Sequence, residues 1–309
     1  MSETIKINEL PVRTWNFLGV NDAEIAWDAD KAVDLGTEDF ASAKDGVCHR
    51  MVMTGKEGFS RKDVHAIAHA GEALTLIQRF EGEGHLSAET HLTLEKDAAL
   101  RLVQVFSAKE GALSRSKVTG TCDENAHLEL IQVMLGKGDT YVDSHVDLNG
   151  KGASTQTDIG YLAQQHQTLD MNLSVNHFGK KTECAINAAG ALKDAAVKIF
   201  RGTIDFKQGS SDSVGNEKET VLMLGDDVVN KTVPLILCAE ENVVGNHGAS
   251  IGEMDDATLF YFESRGIDRA AAEKILARAS VERVARTIGD TETEQAILNE
   301  LYEGEEHDL

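Results

Sequence analysis

Residues 95–104 read EKDAALRLVQ, and residues 123–132, which begin 28 positions later, read DENAHLELIQ. A third version of the phrase, LKDAAVKIFR, occupies residues 192–201. Each copy places a polar turn and a small residue before a segment in which apolar and polar side chains alternate, as they do along a strand. Such a repeat is typical of a stacked coil, because each coil buries its inward side chains only against the coils above and below it.

Other segments with the same two-residue period recur along the middle of the chain. They are residues 92–94, 100–106, 128–133, 171–175 and 199–206. No long helical pattern interrupts them between residues 90 and 240, which disfavours a doubly wound α/β fold because its strands alternate with helices. A β-sandwich remains the alternative. The pattern favours a β-solenoid over a sandwich, because the chain has only two prolines and 5% aromatic residues.

The chain changes character before this region. Its first 45 or so residues are polar and irregular, apart from the cluster LPVRTWNFL at residues 10–18. Trp15 and Leu18 in this cluster are three positions apart, as in a helical turn. We therefore expect a short helical or extended N-terminal arm.

A second change follows residue 252. Residues 255–266 have an acidic start, an apolar face and a final glycine, and Asp268 offers an N-cap to a second helix over residues 269–288. Residues 290–309 contain eight acids and no Lys or Arg, so we expect this tail to fray. Three regions are predicted: an N-terminal arm or helical region over residues 1–50, a solenoid core over residues 51–252, and a helical domain with an acidic tail over residues 253–309.

The second helix should have an apolar stripe, and the helical domain should cover the last coil of the solenoid. The stripe is predicted to consist of Ala272, Ile275, Leu276, Ala279 and Val284. The side chains expected to pack over the last coil are Leu259, Phe260, Phe262 and Ile275.

Composition excludes several classes of function. The 309 residues carry 30 Lys plus Arg against 52 Asp plus Glu, and the net charge of -22 opposes binding to nucleic acid or to anionic membrane surfaces. No apolar run approaches the roughly 18 to 20 residues of a bilayer span, and the first ten residues lack a signal-peptide layout. Four cysteines without a CxxC pair predict reduced thiols. We expect a cytoplasmic protein.

One segment gathers metal-binding side chains. Residues 234–249, PLILCAEENVVGNHGA, contain Cys238, Glu240, Glu241 and His247. If residues 235–240 form a strand, Cys238 and Glu240 share a face, Glu241 points away, and His247 lies beyond a glycine turn. A thiolate is a soft ligand for iron and sulfide, while carboxylate and imidazole bind iron more weakly, so such a site could assemble a cluster and release it. Taken without other information, these residues favour a strand end that has no metal role.

The remaining candidates have ordinary structural explanations. His65 and His69 have the i, i+4 spacing of a zinc motif, but the glutamate of HExxH is absent, which favours structural or surface histidines. Cys48, Cys122 and Cys184 are expected to be small buried hydrophobes.

Residues 243–252, VVGNHGASIG, followed by residues 255–267, DDATLFYFESRGI, closely resemble the C-terminal signature of the SufB/SufD family of iron–sulfur cluster assembly scaffolds. Residues 200–206, FRGTIDF, and residues 221–225, VLMLG, are similar to further motifs of that family, and residues 10–18 resemble its N-terminal Pro-Arg-Trp element. The resemblance implies a right-handed parallel β-helix between an N-terminal region and a C-terminal helical domain, in agreement with the solenoid pattern.

The resemblance also implies a role and partners. A SufC-type ABC ATPase would dock on the C-terminal helical domain, with Arg265 among its candidate contacts, and two β-helices would dimerise through their terminal strands. This chain lacks a Walker A loop, so it would be a scaffold for a transient iron–sulfur cluster rather than an enzyme. Its short length favours a homodimer over pairing with a SufB/SufD paralogue.

The site residues carry over in part. His247 matches the histidine of the SHG motif in SufD-like members, but Gly245 replaces the cysteine two positions before it. Cys238, in a Cys-Ala-Glu-Glu context, resembles the cluster cysteine of a short, single-scaffold branch of the family. Two other functions stay open: a SufD-like structural subunit that binds no cluster, and a β-helix carbohydrate-active enzyme. The enzyme is disfavoured because it needs a groove rich in aromatic side chains, and the chain has 16 such residues in total.

Overall fold

The computed structural model describes residues 3–14 and 16–302. Two short strands, β1 (Glu3–Ile7) and β2 (Ala23–Trp27), form an antiparallel pair with a 3₁₀ turn (Asn16–Leu18) between them. The strands that follow are β3 (Val33–Ala41), β4 (Val47–Gly55), β5 (Phe59–Ala68), β6 (Ala73–Gly82), β7 (His85–Leu94), β8 (Ala99–Phe106), β9 (Leu113–Cys122), β10 (His127–Met134), β11 (Asp139–Leu148), β12 (Ser154–Ala163), β13 (Thr168–His177), β14 (Glu183–Lys193), β15 (Val197–Phe206), β16 (Ser213–Leu224), β17 (Val229–Cys238) and β18 (Val243–Gly252).

These sixteen strands form two parallel sheets. The even-numbered strands β4 to β18 make one eight-stranded sheet in chain order, and the odd-numbered strands β3 to β17 make the other. Each coil therefore contributes one strand to each sheet. The parallel β-solenoid predicted from the repeated phrase is confirmed.

The three copies of the repeated phrase each lie in a turn just before a strand, namely β8, β10 and β15. Asp97, Asn125 and Asp194 have positive φ angles of 58°, 54° and 60°, a conformation that short polar residues tolerate better than most. The Asn125 side-chain amide donates to Asp97 Oδ1 of the coil below at 2.8 Å. The small residue after the turn is buried in the first two copies, as Ala98 and Ala126. The first two copies thus occupy equivalent turns of successive coils, whereas the third occupies a turn that leads to the other sheet.

The inward side chains of both sheets form one continuous core. It is mostly aliphatic, with Phe80 and Phe106 stacked on successive coils at 4.5 Å between ring centroids. Gln78, Gln104 and Gln132 also point inward on three successive even-numbered strands, and their amides are hydrogen-bonded to one another. Identical residues in register thus satisfy each other across coils.

The solenoid starts earlier than residue 51. Strand β3 already pairs with β5, and β4 pairs with β6, so part of the expected N-terminal arm belongs to the first coil. This coil has neighbours on one side only and stays largely exposed, which explains why its sequence lacks a strong alternating pattern. Trp15 of the predicted helical turn lies outside the described residues; residues 16–18 form the 3₁₀ turn.

The helices are α1 (Asp256–Glu263), α2 (Arg269–Ala285) and α3 (Thr291–Tyr302). Asp255 and Asp268 cap α1 and α2, as predicted for Asp268, by accepting hydrogen bonds from Thr258 and Ala271 N–H groups. The expectation of a frayed tail is wrong for residues 291–302, because Ile297 is buried against the other helices and the sheet. Residues 303–309 lie outside the described part.

The packing of the helices also differs from the prediction. Helix α2 lies on the outer face of the even-numbered sheet, where Val281, Val284 and Ala285 contact Ile131 and its neighbours on other strands. Of the predicted stripe, Ala272 and Val284 are buried, whereas Ile275 is 45% exposed. No residue of α1 is buried, so this helix does not seal the last coil. The buried side of α2 is therefore the side that packs on the sheet, and it does not cover the end of the stack.

Candidate metal centre at the open end of the solenoid

Strands β17 and β18 are the last strands of the two sheets. Among the described residues, each has a hydrogen-bonded strand on one side only, β15 for β17 and β16 for β18. The outer edges therefore present unpaired backbone N–H and C=O groups, which is the property that makes edge strands pair with other chains. All four metal-ligand candidates lie on these two strands or in the turn that joins them.

Cys238 is the last residue of β17 and is exposed. It is aligned with buried Phe206 on β15 and lies on the same side of β17 as Ile236, which packs against the core. Its position is thus an inward one, but no further coil covers it. A thiol in this position is open to solvent at the end of the stack.

The other cysteines divide into two kinds. Cys122 and Cys184 are buried, as predicted, and burial raises the pKa of both thiols to about 12. Cys48 was expected to be buried but is exposed, because it faces outward on β4, on the opposite side of the strand from buried Met51 and Met53. Cys48 and Cys238 are therefore the two accessible thiols of the chain.

Glu240 and Glu241 lie in the turn between β17 and β18. We expected Cys238 and Glu240 to share one face of a strand over residues 235–240. Strand β17 instead ends at Cys238, so Glu240 is not on the strand. Its carboxylate accepts hydrogen bonds from the backbone N–H groups of Gly209, at 2.9 Å, and Glu241, at 3.1 Å. Both hydrogen bonds lower the pKa of Glu240, and the bond from Gly209 has the larger effect. Glu240 is thus an ionised carboxylate that also fixes the turn, while Glu241 is exposed.

His247 lies on β18, is exposed, and is aligned with Glu217 on β16. Two residues earlier on the same side of β18, a Cβ atom at Gly245 would come within 2.9 Å of Ile236 Cγ2. Glycine fits this position because the side chain of Ile236 occupies the space. The absence of the second cysteine is therefore part of the packing of the last coil.

The four candidates do not form a closed site within one chain. Across residues 3–14 and 16–302, no group of three or more His, Cys, Asp or Glu side chains is arranged to hold a metal ion. The structure brings Cys238, Glu240, Glu241 and His247 to the same end of the solenoid. It does not bring them into one coordination sphere.

A buried cluster of charged side chains lies directly below this end and was not predicted from the sequence. Lys198 and Glu219 form an ion pair inside the solenoid and are 0% and 1% exposed at their side chains. Glu217 lies beside them, in space left open by Gly202, and burial followed by repulsion from Glu219 raises its pKa to about 7. The signal was present, since Glu217 and Glu219 alternate with Lys218 and share the inward side of β16 with Val221.

The N-terminal region supports β17 from outside. Leu10 and Val20 pack against Val233 on the outer face of this strand, and Lys231 donates to the Leu18 carbonyl at 2.8 Å. The strand that ends in Cys238 is therefore held by the core on one face and by the N-terminal region on the other.

A separate apolar surface lies on the helices. Phe260 and Tyr261 on α1 are 71% and 54% exposed, and Ile275 on α2 is 45% exposed. The Arg265 guanidinium lies over the Tyr261 ring at 5.0 Å from its centroid. Exposed aromatic side chains with a neighbouring arginine are typical of protein-binding surfaces. Within the described part of the chain, no helix is long and apolar enough to cross a bilayer.

Comparison with known proteins identifies the family of this chain. A family model described as "SUF system FeS cluster assembly, SufBD core domain" matches residues 51–280. The iron–sulfur cluster assembly protein SufD of Bacillus subtilis (strain 168) is 32% identical over 143 residues, which cover 46% of this chain and 33% of that protein. SufB of the same strain is 25% identical over 196 residues, or 63% of this chain and 42% of that protein.

A SufBD family protein of Mycobacterium tuberculosis (strain ATCC 25618 / H37Rv) is 24% identical over 251 residues, covering 79% of this chain and 62% of that protein. The chain thus spans between about a third and three fifths of the length of these relatives. These names describe iron–sulfur cluster assembly and not carbohydrate chemistry. The family model covers most of the solenoid and part of α2, and the chain belongs to the SufBD core family of iron–sulfur cluster assembly proteins.

Proposed function

We propose that this chain is a scaffold on which a nascent iron–sulfur cluster forms between two copies of the protein. The observation that carries the proposal is the position of Cys238, an exposed thiol at the end of an edge strand. In this scheme Cys238 is the thiolate ligand, and Glu240 or Glu241 and His247 supply further iron ligands. The cluster is cargo that is assembled and handed on.

The donor set suits temporary binding. A thiolate is a soft ligand that binds iron well alongside sulfide, whereas carboxylate and imidazole ligands bind iron more weakly. Glu240 is ionised and already held by backbone N–H groups, so Glu241, which is exposed, is the freer of the two carboxylates. A site with one thiolate per chain would release its cluster more readily than one with four.

Two copies are proposed because the described residues of one chain do not complete the site. The unpaired edges of β17 and β18 carry exposed apolar side chains, namely Val229, Val244 and Ile251 at 38%, 51% and 45% exposure. A twofold contact along these edges would pair their backbones and bring two copies of Cys238 to one interface. Pairing with a related scaffold would use the same edges.

The energy source would be a separate ATPase of the SufC type. We place its docking surface on α1 and the start of α2, around Phe260, Tyr261, Arg265 and Ile275, because two adjacent aromatic side chains are exposed there beside an arginine. Four free cysteines suit a reducing cytoplasm, which is the location we propose.

A second candidate is a SufD-like structural subunit that binds no cluster. Two points favour it: the resemblance to SufD-like members implies a cysteine where this chain has Gly245, and the described residues of one chain contain no preformed group of three or more ligands. In that case the chain would brace the ATPase and another scaffold.

Anaerobic reconstitution with ferrous iron and sulfide separates the two candidates. The scaffold proposal expects visible charge-transfer absorption in the parent, its loss in Cys238→Ser, and its retention in Cys48→Ser, which removes the other exposed thiol. If Cys238→Ser retains the full absorption of the parent, the ligand assignment is wrong. Absence of any cluster on the parent, together with co-purification of a second scaffold, supports the structural subunit.

A further inference from the structure

Two histidines far apart in the sequence are neighbours on the outer face of the odd-numbered sheet. His65 on β5 and His91 on β7 are aligned in register, with ring centroids 5.3 Å apart and planes inclined by 54°. Both are exposed; the His65 side chain is 54% accessible. The solenoid creates this pair, because its coil length places residues that are 26 positions apart one above the other.

Each ring is held through Nδ1. His65 Nδ1 lies 3.0 Å from Asp39 Oδ1, and His91 Nδ1 lies 2.7 Å from Thr119 Oγ1. A carboxylate only accepts, so the proton of neutral His65 is on Nδ1 and the lone pair is on Nε2. The Thr119 hydroxyl can accept from His91 in the same way. Metal-binding histidines commonly donate their second N–H to such a carboxylate or oxygen, which fixes the tautomer and the ring orientation.

The surrounding charges favour a cation on the β5 side of the pair. Asp39 and Asp63 lie on β3 and β5 next to His65, and Asp63 has the same outward orientation as His65 on β5. Lys117 lies on β9, in register with Glu89 on β7, and is therefore on the side of His91 that is away from His65.

We propose that His65 and His91 form a surface site for a borderline divalent transition metal ion such as Zn²⁺, with two imidazole Nε2 ligands and water in the remaining positions. Imidazole is a preferred ligand of zinc, copper and nickel, and the Irving–Williams order places Cu²⁺ above Zn²⁺ at such a site. Two protein ligands leave the site open, so the ion can exchange.

This site is separate from the candidate metal centre. Five strand spacings of about 4.8 Å separate β7 from β17, which puts the two about 24 Å apart along the stack. It is also not the i, i+4 pair of the sequence: His65 lies on extended β5, which runs to Ala68, so the segment does not form the helical turn that would bring His65 and His69 together.

Zinc binding to the full-length chain tests the proposal. Titration calorimetry at about pH 7.5, where ligating imidazoles must be neutral, uses a Cys48→Ser, Cys238→Ser background so that neither exposed thiol contributes. We expect one Zn²⁺ per chain, and at least about tenfold weaker binding in His65→Ala and in His91→Ala. Asp39→Ala, which removes the partner of His65 Nδ1, should weaken binding in the same direction.

His127→Ala is the matched control, because His127 is also exposed and also bonded through Nδ1, to Ser154 Oγ at 2.8 Å, but its in-register neighbours on β8 and β12 are Ala99 and Ser154. Cu²⁺ electron paramagnetic resonance gives a second readout: nitrogen hyperfine structure from two imidazoles in the background protein and from one in each single variant. Zinc affinity that is unchanged in both His65→Ala and His91→Ala, or an equal loss in His127→Ala, overturns the proposal.

Discussion

Arg201 and Asp170 form a two-pronged ion pair in which neither side chain is more than 1% exposed. The guanidinium donates from Nη1 to Oδ1 at 2.5 Å and from Nη2 to Oδ2 at 3.1 Å. Its Nε also donates to the Val20 carbonyl at 2.5 Å, and the Asn8 amide donates to Asp170 Oδ1 at 2.6 Å. One arginine thus ties the N-terminal region to the outer face of the odd-numbered sheet, beside the strand that ends in Cys238.

Replacing Arg201 should destabilise the protein strongly. Arg201→Ala leaves a buried carboxylate without its counter-ion, and we expect a loss of about 3–5 kcal/mol in the free energy of unfolding. Chemical denaturation measures this loss, and limited proteolysis should show earlier cleavage in the first 30 or so residues, which lose an anchor.

The matched control is Arg61→Ala. Arg61 forms an ion pair with Asp34 at 2.8 Å, but both side chains are more than half exposed. The loss in this variant should stay within about 1 kcal/mol. Equal effects of the two substitutions would show that the buried pair does not hold the N-terminal region.

His177 should make stability depend on pH. Its ring is buried, with Nδ1 bonded to Thr182 Oγ1 at 2.7 Å and Nε2 3.3 Å from Cys184 Sγ, and burial lowers its pKa to about 4. The unfolded chain takes up a proton near pH 6.5, whereas the folded chain does not until about pH 4. Stability from this group is therefore complete above pH 6.5 and is lost as the pH falls towards 4.

Unfolding free energies at neutral and mildly acidic pH check this expectation. The parent should lose on the order of 2–3 kcal/mol through His177 across that interval. His177→Gln should lose less over the same interval, whatever its stability at neutral pH. His127→Gln removes an exposed ring and should keep the slope of the parent; a parental slope in His177→Gln would contradict the assignment.

Much of the solenoid could be predicted because its determinants are local. Asp97 and Asn125 mark the turns, and period-two alternation marks the strands, so neither requires knowledge of distant contacts. The first coil was missed because β3 is largely exposed and its alternation is weak. The tail helix was missed for a different reason. Ile297 and Leu301 are its buried apolar residues, but the acidic residues around them dominate the composition of the segment.

The candidate site could be predicted only as a group of residue types. Cys238 and His247 are nine positions apart, but whether they meet depends on where β17 ends and on what covers the last coil. The same limit applies to His65 and His91, because the length of each coil decides which side chains align. Sequence period predicts which face a residue occupies; register and partner chains decide what it touches.

Association of two copies should depend on the edges of β17 and β18. Val244 is 51% exposed on β18, and charged side chains on an edge strand oppose pairing with another edge. We expect light scattering coupled to gel filtration to give the mass of two chains for the parent and of one chain for Val244→Lys. Val52→Lys, at a site 59% exposed on β4 at the other end of the stack, is the control and should keep the parental mass. A single-chain mass for the parent would rule out the self-paired assembly.

Docking of an ATPase should depend on the aromatic side chains of α1. Phe260 is 71% exposed, so Phe260→Asp should leave the unfolding transition unchanged. If the patch is the centre of the interface, the variant should bind a SufC-type ATPase about thirtyfold more weakly or worse, since truncated anchors at interface centres typically cost about 2 kcal/mol or more. Surface plasmon resonance with the purified ATPase measures the change. Phe178→Asp places the same charge at a 44% exposed phenylalanine on the solenoid. Equal losses for the two variants, or none for Phe260→Asp, would move the docking surface away from α1.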